Sequence, residues 1–234
     1  RVGIPIADLT AGLFCALGIL TALIERNKSG QGQWLHTSLL QSQAFMLDFQ
    51  AARWLMNKEV AHQVGNEHPT SVPTNRYLTK DGAVNVAVAG NKTWLRLCEA
   101  LNKPDWSVSQ RYATNEDRVK LRDQLNDEIS KIMATKTTIE WVEIMTEAGV
   151  PCGPIYKIDE VFADPQVQHL QIAQPLKTVP FGDTHALGQP IHLDRTPSRL
   201  SGSPPLRGQH TLEILKEIGI EKEELQILKN KNIV

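Results

Sequence analysis

Cysteine is scarce here and none of it is spaced for chemistry. Cys15, Cys98 and Cys152 are odd in number, far apart and without C-x-x-C spacing. That excludes a disulfide framework and a thiolate metal site, and implies reduced thiols. Charge of one sign is lacking as well: the formal net charge is −1, which favours neither nucleic acid nor an anionic membrane as partner. The phosphate-cradling patterns G-x-G-x-x-G after a strand and G-x-x-x-x-G-K-[ST] are missing, and so is the nucleophile elbow G-x-S-x-G. The seven histidines form no H-x-x-x-H or H-E-x-x-H pair, so no metal is expected, and His185 and His192 read as ordinary surface or core residues. No repeat or low-complexity segment is evident.

What is present is ordinary for a globular chain: 234 residues, 41% hydrophobic and 22% charged, enough for one large or two small domains with a real core. The longest apolar stretch, Leu13 to Ile24, is shorter than the roughly 20 residues a membrane span needs. With no basic leader before it and no small-residue cleavage site after it, a signal peptide is not expected. Structured sequence begins within a few residues of Arg1, which suggests a chain whose beginning is missing.

In IPIADLTAGLFCALGIL, residues 4–20, one carboxylate stands at the mouth of an apolar run. Leu13, Leu17, Leu20 and Ile24 recur at helical spacing with apolar residues on the other side, so a helix from Asp8 to Arg26 should be buried. The glycines of Asn27-Lys28-Ser29-Gly30-Gln31-Gly32 stop it. Gln33 to Leu39 alternates weakly, as a strand would, and residues 39–58 read as a second helix. Residues 59–75, with two prolines and small polar residues, read as a linker or long loop.

A two-stranded unit follows, from Arg76 to Thr79 and from Ala83 to Ala89 around Lys80-Asp81-Gly82, with Val84, Val86 and Val88 on one face. Helices are expected over Lys92–Leu101, Asn115–Met133 and from the capping-box pattern Thr137-Thr138-Ile139-Glu140 to Gly149. GVPCGP, residues 149–154, reads as an irregular connection, and Asp164-Pro165 closes a further short helix. Residues 172–193 read as strands broken by Gly182, Gly188 and Pro190, and the tail as two amphipathic helices, Thr211–Gly219 and Glu221–Lys229. Trp34, Trp54, Trp94, Trp106 and Trp141 are most simply core residues. Cys152 has no visible neighbouring base, so a structural thiol is favoured over a nucleophile. Locally, Asp8 reads as an ordinary N-cap.

Four stretches in order change that reading. IADLTAGLFCALGILTALIERNKSGQGQWLHTSLLQS, RYLTKDGAVNVAVAGNKTWLRLCEALNKPDW, EAGVPCGPIYKIDEVFADPQVQ and TPSRLSGSPPLRGQHTLEILKEIGI together resemble the class III CoA-transferase family, which includes formyl-CoA and carnitine CoA-transferases and α-methylacyl-CoA racemases. The first stretch is similar to the family's Asp followed by small residues, an apolar helix and R-x-x-[ST]-G-x-G-Q.

The resemblance implies an α/β fold: part of a Rossmann-like large domain plus a small α+β domain, in chains that interlock as a homodimer. Residues 1–58 would be a large-domain segment, 59–75 a linker and active-site loop, and 76–164 the small α+β domain. Residues 165–200 would be linker and strands, and 201–234 C-terminal helices returning to the large domain. An N-terminal segment of the family, supplying most CoA contacts, has no counterpart in this sequence, so the chain resembles the C-terminal part of a longer enzyme, inactive by itself.

Asp8 falls on the family's nucleophilic aspartate. A carboxylate there attacks an acyl-CoA thioester to give an aspartyl mixed anhydride and then an aspartyl-CoA thioester. A helix start favours its negative charge, and nearby N–H groups would stabilise the oxyanion. Thr10, Ala11 and Gly12 are small enough to admit a thioester. The family's glycine-rich loop over this Asp corresponds to GNEHPTSVPT, residues 65–74, which has one glycine. Gly65, Asn66 and His68 would line the site, with His68 orienting an acceptor carboxylate.

Racemases of this fold carry Glu where this chain has Leu78, and that Glu supports a catalytic His. Leucine cannot, which favours transfer over racemisation. The loop and ARWLMNKE, residues 52–59, also look like transferases that use succinyl-CoA and dicarboxylic acids such as glutarate. CoA thioester is then substrate, with no tightly bound cofactor, no metal, no nucleic acid and no membrane partner. The location would be cytoplasmic, or the mitochondrial matrix in a eukaryote. A non-catalytic fragment or binding module is the alternative from a different class.

Overall fold

The computed structural model describes residues 3–179, 181–200 and 202–233, in two compact units divided between Ile155 and Tyr156.

The N-terminal unit opens with α1 (Ile6–Ser29), a single helix of 24 residues. Gly30 ends it at φ 75°, its N–H returning to the Arg26 carbonyl, a left-handed stop that glycine adopts without steric cost. The expected burial is not observed. Leu13, Leu17, Leu20 and Ile24 are 57–66% exposed. The packed seam of α1 is instead Thr10, Phe14 and Gly18, four residues apart. Phe14 meets Phe45 edge-on at 5.2 Å, and Gly18 lies against the Leu35 side chain, where a Cβ would clash. Small residues decide this face because they let the following segment approach.

The whole helix, with mean hydropathy 1.9 across its apolar window, is long and apolar enough to cross a membrane. Length therefore does not exclude a span, as the shorter run Leu13–Ile24 suggested.

Gln33–Leu39 forms no strand, since a strand needs a hydrogen-bonded neighbour and none pairs with it among the described residues. The helix expected over 39–58 is two, α2 (Leu39–Phe45) and α3 (Asp48–Asn57). They are separated by a turn after which Asp48 takes φ 48°, a conformation Asp tolerates better than most residues.

The core of this unit lies further on. Strands β1 (Thr74–Leu78), β2 (Ala83–Ala87) and β3 (Cys152–Pro154) form an antiparallel sheet in the order β1-β2-β3. GVPCGP is thus partly a strand and not a plain connection: Val86 pairs with Cys152 and Val84 with Pro154. Its three residues are too few for periodicity to reveal. Val84, Val86 and Val88 are buried as expected.

Helices α4 (Gly90–Ala100), α5 (Pro104–Val108), α6 (Asn115–Lys120), α7 (Arg122–Met133) and α8 (Thr138–Glu147) accompany the sheet. Leu121, at φ −107°, divides α6 from α7 where one helix was expected. The α8 capping box forms as its sequence predicts: the Glu140 carboxylate accepts from the Thr137 N–H at 2.8 Å. Trp94 and Trp106 stack at 6.2 Å with Tyr112 against both, and Trp141 is buried with its Nε1–H on the Met133 carbonyl at 2.7 Å. Trp34 and Trp54 are exposed. They sit on the α1–α3 side, while the buried cluster among the described residues runs from Val72 onward.

The second unit holds α9 (Ile158–Ala163), α10 (Pro165–His169), an antiparallel pair β4 (Ala173–Thr178) and β5 (Gly182–Leu187), and helices α11 (Thr211–Glu217) and α12 (Lys222–Asn230). Asp164 both ends α9 and caps α10, accepting from the Gln166 N–H at 2.8 Å.

Candidate active site

Asp8 is not the cap of α1. The N-cap is Pro5, which has no side-chain acceptor, and Asp8 is the third helical residue, exposed in the first turn. The Ile6 N–H reaches the Ile4 carbonyl and that of Leu9 the Pro5 carbonyl. Among the described residues the N–H groups of Ala7 and Asp8 find no acceptor. A helix that starts on proline leaves its own donors open, and here they stand beside a carboxylate.

The turn carrying Asp8 is fastened by Thr10. Its hydroxyl donates to the Ile6 carbonyl at 2.7 Å and accepts from Gln43 Nε2 of α2 at 3.1 Å. Gln43 is thus a supporting residue that sequence reasoning missed; a glutamine on a second helix carries no signal of its partner 33 positions away. A cleft of about 330 Å³ lies at the α1–α2 contact, lined by Phe14, Leu35, His36, Thr37, Gln41, Ser42 and Phe45.

Gly65, Asn66 and His68 lie together in the loop before β1. Gly65 adopts φ 62°. His68 accepts at Nδ1 from the Thr70 N–H at 3.2 Å and the Ser71 N–H at 3.0 Å. Its own N–H donates to the Thr74 carbonyl at 2.9 Å, and its ring stacks on Phe49 of α3 at 5.8 Å and 15°. No hydrogen bond joins Asp8 to this loop among the described residues; the two are linked through α2 and α3, by Gln43 at one end and Phe49 at the other.

The loop is also tied to the small core. Asn115 accepts from the Val72 N–H at 3.1 Å and donates to the Thr70 carbonyl at 2.8 Å. Buried Arg118 donates to the Val72 carbonyl at 2.8 Å. Arg122 donates to the His68 and Pro69 carbonyls, each at 2.8 Å. The proline-containing, polar stretch that reads as a linker or long loop is, over 67–72, a pinned loop, because its polar groups find their partners on α6 and α7.

Cys152 is structural. Its thiol is half-buried, 3.8 Å from the Val142 carbonyl, and burial pushes its pKa up, which opposes thiolate formation. No cluster of three His, Cys, Asp or Glu able to hold a metal is found among the described residues. In the C-terminal unit a cleft of about 450 Å³ is lined by Phe162, Ala173, His185, Ala186 and Leu187 and contains none of the candidate residues.

Residues 1–211 match the model of the family described as CoA-transferase family III. The chain is similar to the human succinyl-CoA:glutarate CoA-transferase, 32% identical over 93% of this chain and 50% of that protein. It is 29% identical to succinyl-CoA–D-citramalate CoA-transferase of Chloroflexus aurantiacus, over 100% of this chain and 59% of that one. Among solved structures, a CAIB/BAIF family protein from Brucella suis superposes with TM-score 0.76 at 26% identity, covering 93% of this chain and 56% of the other. Rv3272 of Mycobacterium tuberculosis, at TM-score 0.77 and 19% identity over 89% and 55%, shares the fold. The chain spans about half the length of the curated relatives it matches.

Proposed function

We propose, from the premise that this chain belongs to CoA-transferase family III, that the protein containing it moves CoA from an acyl-CoA thioester to a free carboxylic acid, with Asp8 as nucleophile. The observation that carries this reading is the family match across residues 1–211. The uncapped first turn beneath Asp8 supports it.

The Asp8 carboxylate attacks the thioester carbonyl, the C–S bond breaks, and CoA leaves as thiolate, giving an aspartyl mixed anhydride. The thiolate attacks the aspartyl carbonyl, releasing the donor acid as carboxylate and leaving an aspartyl-CoA thioester. The acceptor carboxylate then attacks that thioester and frees the thiolate again. Finally the thiolate attacks the acceptor's acyl carbon, which releases the new acyl-CoA and restores Asp8. Every step generates a tetrahedral oxyanion. Open N–H groups such as those of Ala7 and Asp8 suit it, each donor of this kind contributing about 3 kcal/mol.

The donor in this reading is succinyl-CoA and the acceptor a dicarboxylate, as in the names of the two transferases above. Leu78, exposed on β1, supports transfer over racemisation, because a leucine cannot hold a catalytic histidine by hydrogen bonding. The exposed face of α1 is covered, in the same reading, by a large-domain segment outside this chain, in a protein that works as a homodimer. The apolar stripe Leu13, Leu17, Leu20, Ile24 then belongs to a core and not to a bilayer.

The test is steady-state transfer by the full-length protein with succinyl-CoA and glutarate. Glutaryl-CoA formation that Asp8→Asn abolishes is the expected result. Exchange of the α-proton of a 2-methylacyl-CoA with solvent, without CoA transfer, contradicts it; acyl-CoA binding with neither reaction points to a binding module.

A further inference from the structure

The carboxylate beside His68 in sequence is not free for substrate. Glu67 Oε2 pairs with Arg122 Nη1 at 3.1 Å, and Oε1 accepts from Asn126 Nδ2 at 2.8 Å and Asn75 Nδ2 at 3.4 Å. Asn126 in turn accepts from the buried Tyr77 hydroxyl at 2.6 Å. The Glu67 and Arg122 side chains are 26% and 16% exposed, so their charge-assisted bonds act in a partly desolvated setting. The same guanidinium holds the His68 and Pro69 carbonyls. Its hydrogen bonds therefore fix the backbone on which Thr70 and Ser71 present their N–H groups to the imidazole.

We propose that the Glu67–Arg122 pair is a positioning device that holds His68 as a neutral Nε2–H donor for the carboxylate of the acceptor acid. This rests on the transfer reading above. A ring nitrogen that accepts two N–H bonds carries no proton, so the proton of a neutral ring is on Nε2. Phe49, stacked on one face, sets the ring plane. With Nδ1 taken up by those two N–H groups, Nε2 is the donor of the neutral ring, and among the described residues it donates to no protein group. Acceptor acids supply an oxyanion of the right chemistry, and Glu67, saturated by Arg122, Asn126 and Asn75, does not compete for the donor. A pair that only held the fold together would need no contact with the carbonyls on either side of the His68–Pro69 bond.

The experiment compares Arg122→Ala, Arg122→Lys, Glu67→Gln, His68→Ala and the double variant His68→Ala/Arg122→Ala in the full-length protein, with succinyl-CoA as donor and glutarate as acceptor. Arg122→Ala is expected to raise the glutarate KM about tenfold, the scale of one lost hydrogen bond to a charged group, with the donor half-reaction within about twofold of its original rate. In the His68→Ala background the same substitution is expected to change the KM less than about twofold, because a residue acting through another shows no separate effect once that other is gone. Arg122→Lys, which cannot hold both carbonyls and Glu67 in one plane, recovers only part of the loss. Nitrogen NMR of the imidazole is expected to show a single Nε2–H tautomer that becomes a mixture in Arg122→Ala.

An equal KM effect with and without His68, or a tautomer unmoved by Arg122→Ala, overturns the proposal. Should Arg122→Ala not fold, Glu67→Gln gives the same two readouts, since it leaves the guanidinium and removes its ion pair. If the unsubstituted protein transfers no CoA, the transfer reading fails by itself and the acceptor role of His68 falls with it.

Discussion

Replacing Arg118 with methionine strikes the loop and the core at once. Arg118 is 1% exposed and donates to the Val72 carbonyl at 2.8 Å, the Tyr112 carbonyl at 2.9 Å and Asn91 Oδ1 at 3.2 Å. Its guanidinium sits 4.9 Å from the Trp94 ring. Asn91 is exposed and rehydrates, so two acceptors belonging to buried residues are stranded. Each costs about 1–2 kcal/mol, and the lost cation–π contact adds about 1 kcal/mol.

Against this runs the relief of desolvation, which is strong enough to lower the Arg118 pKa. Removing a buried charge altogether recovers on the order of 1 kcal/mol. The net expected loss is about 3 kcal/mol, a large share of the about 5–15 kcal/mol that holds a domain together. Measured as hydrogen exchange of the Val84–Val88 and α7 amides in the full-length protein, 3 kcal/mol is about a hundredfold faster exchange through global opening. Acceleration below about fivefold would refute the reasoning, and would mean that the guanidinium's desolvation cancels its hydrogen bonds.

Two further substitutions probe other polar contacts of the same unit. Tyr77→Phe removes the hydroxyl that donates to Asn126 and leaves a mostly buried amide oxygen with one partner fewer, so stability should fall by about 1–2 kcal/mol in denaturant titration; burial holds the Tyr77 phenol well above its usual pKa, so no phenolate signal should appear below the alkaline unfolding transition. Asp81, whose carboxylate accepts from the Thr138 N–H at 2.8 Å and hydroxyl at 2.9 Å, has its pKa lowered by those bonds. A folded-state pKa below the unfolded one contributes stability above the unfolded value and loses it as pH falls through the folded one. Asp81→Asn should therefore flatten the acid limb of a stability–pH curve while leaving its shape near neutrality, and an unchanged acid limb would contradict the assignment.

Much of this was legible in the sequence where a signal is local. The alternation of Val84, Val86 and Val88 gave the buried strand face, Thr137 and Glu140 gave a capping box that forms, and Gly30 gave the end of α1. Signals failed where a second element decides the outcome. The stripe Leu13–Ile24 has the composition of a buried face, yet burial depends on a partner, and α2 and the segment before it pack on the other face, at Thr10, Phe14 and Gly18. Gln33–Leu39 has strand-like alternation and no neighbour to pair with. Asp8 was placed near the start of α1, but periodicity could not separate a cap from the first turn. Pro5, three residues before Asp8, settles the difference by taking the capping position without an acceptor. The loop 65–74 was named for Gly65, Asn66 and His68; Glu67, Arg122 and Asn115, which hold it, are single polar residues up to 55 positions apart.

Whether Asp8 carries the acyl group is tested most directly by a chemical trap. The full-length protein is incubated with succinyl-CoA, quenched with hydroxylamine and digested, and the peptide spanning residues 3–26 is read by mass spectrometry. An aspartyl anhydride or thioester is captured as the hydroxamate, so the account predicts modification at Asp8 that requires the thioester and is lost when CoA replaces it. An unmodified Asp8 in a protein that still transfers CoA would contradict it.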